Sequence, residues 1–327
     1  MEVVKLINNK KIINGWAFYD WANSAYSLVI STAIFPNYFI AKTAAHIKFF
    51  GFEIANSAFY SFLVSIAYII IALTTPVLSG VADYSGNRKN FLKAFTVFGS
   101  LACISLFWFS GEERMWLGII AFVVATFGCA GSLVFYDSFL PDIASEDQYD
   151  KVSARGYSYG YVGSVILLVF ILFMYMKPEV FGIADEALPL RIGFILVGLW
   201  WIGFAQITFR RLPRYRKGNA NKVGILSKGF QQLKKAYKGL KHKPQTRRYL
   251  YSFFFYFSGV QTVVYLASAF ASKVLGFAAQ ELILIILILQ LIAVPGAMLF
   301  AYIAKLKSNK FSMLLMIVIW SVICIAA

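Results

Sequence analysis

Asp20, Asn23, Ser24, Ser27 and Ser31 fall at offsets 0, 3, 4, 7 and 11. That spacing puts one carboxylate, one amide and three hydroxyls on a single helix face. The surrounding stretch is apolar and long enough to cross a membrane. Such a stripe offers hydrogen bonds to a small polar solute and a carboxyl group that could carry a proton. Two more stretches repeat the pattern. One holds Thr126, Ser132, Tyr136 and Asp137; the other holds Ser258, Gln261, Thr262, Tyr265, Ser268 and Ser272. Polar groups facing lipid are costly, so these faces are expected to point inward. Asn23, Ser27, Gln261, Thr262 and Tyr265 are therefore candidates for solute contact. Asp20 and Asp137 are the acids nearest membrane depth, where a central Asp costs roughly 2.5–3.5 kcal/mol on insertion scales. They are candidates for proton coupling or, with Arg155, for a gate ion pair.

The elements that position these residues are nine apolar stretches, near 16–41, 58–79, 91–110, 115–138, 155–176, 190–209, 249–272, 281–304 and 311–327. A hydrocarbon core of ~30 Å needs ~20 such residues in a helix. Hydrophobic residues make up 60% of the 327-residue chain and charged residues 14%, which excludes a soluble enzyme core. The expected fold class is all-α, a polytopic membrane bundle. Stretches 1, 4 and 7 carry polar stripes and 3, 6 and 9 are plain, which suggests repeated units of three helices with the plain members facing lipid. The ninth stretch, at 1.5 Å per residue, falls short of the ~30 Å core, so a longer parent protein is expected.

Charge sets the sidedness. With the N-terminus inside, the inner loops hold 25 Lys/Arg and the outer loops 6; inner loops retain positive charge during insertion. The net charge of +16 comes almost entirely from 210–248, which hold 14 Lys/Arg and no Asp/Glu. Within it Ile225, Leu226, Phe230, Leu233, Tyr237 and Leu240 recur at helical spacing with lysines between them. This reads as an amphipathic helix on the inner membrane face, its lysines against anionic lipid. Its juxtamembrane position accounts for the charge, so no nucleic-acid partner is expected. The division is 1–209 as a six-helix bundle, 210–248 as a basic connector and 249–327 as a partial second bundle.

Enzyme chemistry finds no support. Cys103, Cys129 and Cys324 lie inside apolar stretches and read as small helix residues, without disulfide or metal-ligand spacing. His46 and His242 fall on opposite sides. There is no Gly-rich phosphate loop and no nucleophile beside a base. No catalytic residue, metal or cofactor is expected.

Between the second and third stretches stands Asp83-x-x-Gly86-x-Arg88-Lys89. Gly86 permits a positive φ in the turn. Asp83 ends a helix, where the dipole disfavours a carboxylate, so a partner such as Arg88 is expected. This segment resembles the signature loop of the major facilitator superfamily, with Ser79 where the family usually has Gly. The opening Gly15-Trp16-Ala17-Phe18-Tyr19-Asp20-Trp21-Ala22-Asn23-Ser24-Ala25-Tyr26, then Ala33-Ile34-Phe35-Pro36, resembles the vacuolar amino-acid effluxer-like (autophagy-related) branch of that superfamily. Leu140-Pro141-Asp142-Ile143-Ala144 and Val152-Ser153-Ala154-Arg155-Gly156-Tyr157 resemble it too. The resemblance implies a twelve-helix secondary transporter of which this chain holds about nine helices. It also implies that Asp83, Gly86, Arg88 and Lys89 form a conformational latch. The expected function is alternating-access movement of a small polar solute, such as an amino acid, with proton coupling and a monomeric protein in a bacterial cytoplasmic membrane. The alternative is a non-transporting membrane scaffold or lipid-handling protein, which would have a tightly packed centre.

Overall fold

The computed structural model describes residues 7–49, 51–185, 187–213, 231, 234–235 and 237–326. The side chains of a few helical residues, including Asp83, Gln261 and Tyr265, lie outside that description. So does most of the expected amphipathic helix, at 214–230, 232, 233 and 236.

The chain is an all-α polytopic bundle. The first membrane helix runs Lys10–Lys42 and has three parts: α1 (Lys10–Ala25), a π-helical segment (Tyr26–Ile34) and α2 (Phe35–Lys42). Asn9 caps α1, its side chain accepting from the Lys11 and Ile12 amides at 3.0 and 3.4 Å. In the π segment Thr32 Oγ1 donates to the Ser27 carbonyl at 2.9 Å. Then come α3 (Asn56–Ser85), α4 (Arg88–Ser105), α5 (Met115–Asp137), the short α6 (Leu140–Ile143), α7 (Tyr149–Met176) and α8 (Leu188–Arg211). The last described helices are α9 (Pro244–Lys273), α10 (Ala279–Leu306) and α11 (Asn309–Ala326). Among the described residues seven helices are long and apolar enough to cross a membrane; α9 is outside that set, and α11 is apolar but shorter.

Close helix contact depends on glycine at particular places. On Gly128 of α5 a Cβ would meet the Gly99 Cα of α4 at 2.5 Å, so these helices cross backbone to backbone. On α7, a Cβ on Gly156 would overlap the Asp20 carboxylate, one on Gly160 the Ser24 hydroxyl, and one on Gly163 the Trp21 ring. The small-residue face of α7 is thus what seats it against the polar stripe of α1. Helix α8 lies against α1 and α4. Its Trp201 is fully buried and its Trp200 Nε1 donates to the Trp21 carbonyl at 2.9 Å.

One expectation needs correction. The third and sixth stretches, read as plain lipid-facing helices, bury a face of α4 and α8 against each other and against the rest of the bundle, with Leu92, Cys103, Phe194 and Val197 at 0% exposure. It is α3 whose span is least buried. The physical reason is that apolar side chains serve packing and lipid contact equally, so a lack of polar residues does not mark an outer helix. The loop between the first membrane helix and α3 carries a short strand pair. His46–Phe49 pairs antiparallel with Phe52–Ala55 in a two-stranded hairpin, turned through Gly51 at φ 83°.

Helix α10 packs on α7 and on the π segment, α9 on α2 and the π segment, and α11 on α10. Ser312 Oγ donates to the Phe300 carbonyl at 3.1 Å to tie the last pair.

Candidate functional site

The polar stripe of the first helix lines a cavity of about 370 Å³. Asp20, Asn23, Ser24, Ser27 and Thr32 supply its floor; Tyr136 and Asp137 come from α5, Tyr157 and Tyr161 from α7, and Gln290 from α10. A pocket of this size, with a few convergent polar groups among apolar and aromatic walls, suits a small molecule.

Asp20 is 8% exposed. Burying an ion without partners is expensive, and among the described residues this carboxyl group has one hydrogen-bond donor: Tyr136 donates from its hydroxyl to Oδ2 at 2.9 Å. Tyr136 is itself held by Trp16, whose ring stacks on it at 4.2 Å and whose Nε1 donates to the Tyr136 carbonyl at 2.9 Å. Tyr19 packs against the same ring at 5.1 Å and hydrogen-bonds Thr96 of α4 at 2.7 Å. Three aromatic residues therefore fix the position of one acid. Asp137, one residue on, is exposed along the same cavity.

Asn23 and Ser27 both line the cavity and both reach Cys129 of α5. The thiol donates to Asn23 Oδ1 at 3.5 Å, and Ser27 Oγ lies 3.7 Å from the sulfur. Cys129 is thus more than a small apolar filler; it links α5 to the stripe. Deeper in the bundle Tyr26 and Thr126 share a hydrogen bond at 2.8 Å, which ties Thr126 into the core.

Arg155 donates to Asn14 Oδ1 at 2.7 Å, and among the described residues it forms no ion pair with Asp20 or Asp137. The gate pair expected from the sequence is replaced by this contact to the start of α1. Thr262 on α9 is exposed and donates to the Ser258 carbonyl of its own helix at 2.8 Å. Gln261 and Tyr265 belong to α9, but their side chains lie outside the described residues.

The turn between α3 and α4 contains Gly86 at φ 61°, the left-handed conformation that ends α3. Arg88 pairs with Asp142 at 2.8 Å and donates to the Ser138 carbonyl at 3.1 Å, which joins the turn to the end of α5. Lys89 is 8% exposed and donates to the Leu212 carbonyl at 2.5 Å. The Asp83 side chain lies outside the described residues.

The residues missed in the sequence are Tyr157, Tyr161 and Gln290. Tyr157 and Tyr161 stand four apart, one place after Gly156 and Gly160, so the small-residue period and the tyrosine period share one helix. Gln290 is the only large polar interruption between Leu282 and Phe300, and its isolation was the signal.

A protein family described as vacuole effluxer Atg22-like matches residues 8–327. An uncharacterised MFS-type transporter, YxiO of Bacillus subtilis, is 29% identical over 317 residues, covering 96% of this chain and 72% of the relative. Autophagy-related protein 22-1 of Aspergillus clavatus is 26% identical, covering 81% of this chain and 56% of the relative. Autophagy-related protein 22-2 of Aspergillus niger is 28% identical over 51% of this chain and 38% of the relative. The chain spans less than two thirds of the length of these fungal relatives. No solved structure matches.

Proposed function

The chain belongs to the family of vacuole effluxers like Atg22, and from that premise we propose that it forms the greater part of a secondary transporter for a small polar solute. The multi-pass helices and the transporter relatives make it an integral membrane protein of a transporter family. The observation that carries the finer reading is the cavity: a polar pocket of about 370 Å³ walled by four membrane helices. A scaffold would have filled that space with side chains.

In this reading the solute sits between the first helix, α5, α7 and α10, contacting Asn23 and Ser27, with Gln261, Thr262 and Tyr265 of α9 reaching it in another state of the cycle. Alternating access comes from rocking of 1–209 against 249–327, with 210–248 as the inner tether on anionic lipid. Asp83, Gly86, Arg88 and Lys89 latch one state. Asp20 or Asp137 takes a proton up and releases it, coupling its movement to that of the solute. The protein works as a monomer in the bacterial cytoplasmic membrane with its N-terminus inside, and its solute belongs to the small polar molecules, a class that includes amino acids and amines.

The test is uptake and efflux by the full chain in proteoliposomes, with and without a pH gradient, beside Asp20→Asn and Asp137→Asn. Gradient-driven flux that fails in one variant supports coupling. Full pH-dependent flux in both ends the coupling role, and a tether accessible only from outside the cell ends the sidedness.

A further inference from the structure

The cavity holds two carboxyl groups, those of Asp20 and Asp137, and among the described residues no Lys, Arg or His lines it to pair with them. The basic side chains that come near along the chain are turned to other partners: Arg155 to Asn14 at 2.7 Å and Arg88 to Asp142 at 2.8 Å. Asp20 is more than nine-tenths buried. Tyr136 donates to its Oδ2; the other oxygen takes no hydrogen bond from any described residue, although the residue lines the cavity. A buried carboxylate with one oxygen open to a cavity is an acceptor without a donor.

The walls add to this. Tyr157 and Tyr161 stand one turn apart on α7, and Tyr157 is 66% exposed. A ring face within about 6 Å of a cation attracts it. Trp16 and Tyr136 stack on each other, and Tyr157 and Tyr161 add two further rings to the lining from α7. Gln290 and Ser27 complete the lining as neutral hydrogen-bonding groups.

We propose that this cavity binds a small organic cation, a protonated amine, whose ammonium group is held by Asp20 and Asp137 and whose carbon body lies along Tyr157 and Tyr161. The inference rests on reading the cavity as the solute site, and it narrows the solute. A carboxylic acid would bring a third carboxyl group beside two that have no basic partner among the described lining residues. A zwitterionic amino acid would satisfy the acids through its amino end and leave its own carboxylate without a basic partner. A protonated amine without that carboxylate matches the lining throughout.

The experiment uses the full chain, purified in detergent, and a matched set of probes: 2-phenylethylamine, 2-phenylethanol, phenylacetate and phenylalanine. Titration calorimetry gives the affinities. The amine is expected to bind about tenfold or more tighter than the alcohol and the acid, and tighter than the amino acid. Asp137→Asn, at an exposed position, and Tyr157→Ala are each expected to weaken the amine several-fold, and Asp20→Asn more. Glu179→Gln, on an exposed loop, leaves it unchanged. Equal affinity for alcohol and amine, preference for the acid, or full amine affinity in Asp137→Asn overturns the proposal, whether or not Asp20→Asn folds. Flux through proteoliposomes separates the two readings. An amine that binds with this selectivity but never crosses the membrane sinks transport and leaves the cation site standing. Flux of a neutral solute that both Asp variants retain sinks the cation site and leaves transport standing.

Discussion

The helices from Lys10 to Arg211 and those from Pro244 to Ala326 are similarly apolar, yet they are built on different terms. In the first region Trp16, Tyr19, Tyr26, Phe35, Phe122 and Trp201 are at most 2% exposed and form one core. In the second, among the described residues, only Leu282, Ile283 and Ser312 are buried, while Phe255, Leu299 and Ile325 are exposed at 70, 56 and 86%. Glycine marks the same contrast. A Cβ on Gly99, Gly128 or Gly160 would collide with a neighbouring helix, whereas Gly259 and Gly296 have nothing within 4 Å. Hydropathy decides that a segment enters the membrane. Small residues and internal polar bonds decide which helices it meets there.

That contrast can be broken by experiment. Gly128→Ala drives a methyl group into the α4 backbone and is expected to cost about 3 kcal/mol, seen as a lower melting temperature in detergent. The same change at Gly259 is expected to act in the opposite direction, stabilising by up to about 1 kcal/mol through helix propensity. Equal destabilisation at both sites would mean that α9 is packed as tightly as α5. Tyr136→Phe removes the donor to Asp20 and is expected to lower stability by about 2 kcal/mol, while Tyr161→Phe, whose hydroxyl bonds none of the described residues, changes melting little. Asp142→Asn weakens the partly exposed pair with Arg88 and is expected to cost ~1 kcal/mol at most, reduced further at high salt. Thr262→Val is expected to move stability by less than about 0.5 kcal/mol. A fall in flux with unchanged melting would bring α9 into the solute path and sharpen the comparison into a division of labour.

Much of the bundle was legible because membrane crossing is a property of composition. The long apolar runs of α5 and α10, and the capping glycine at position 86, could be read directly. The polar stripe of the first helix was equally clear, since its spacing is a local pattern. The π segment was not, because Tyr26–Ile34 has nothing in its composition to set it apart from an α-helix; wider hydrogen-bonded rings arise from what packs around them. The hairpin at 46–55 left a faint trace in Gly51 and in the alternation of His46, Ile47, Lys48 and Phe49. Tyr157 and Tyr161 escaped because aromatic side chains in an apolar stretch serve packing, lipid contact and cavity lining alike. The partners of Arg88 and Arg155 depended on where α6 and the start of α1 come to rest, which no local pattern encodes.

The Lys89 amine has a consequence beyond its own hydrogen bond. It grips the carbonyl of Leu212, which lies at the start of the stretch 210–248 with its 14 cations and no acids. The root of that highly charged cord is therefore knotted to the turn between α3 and α4. Any displacement of Leu212 is therefore felt at the same corner that Arg88 holds against Asp142, which links the end of α8 to the start of α4 through two neighbouring cations.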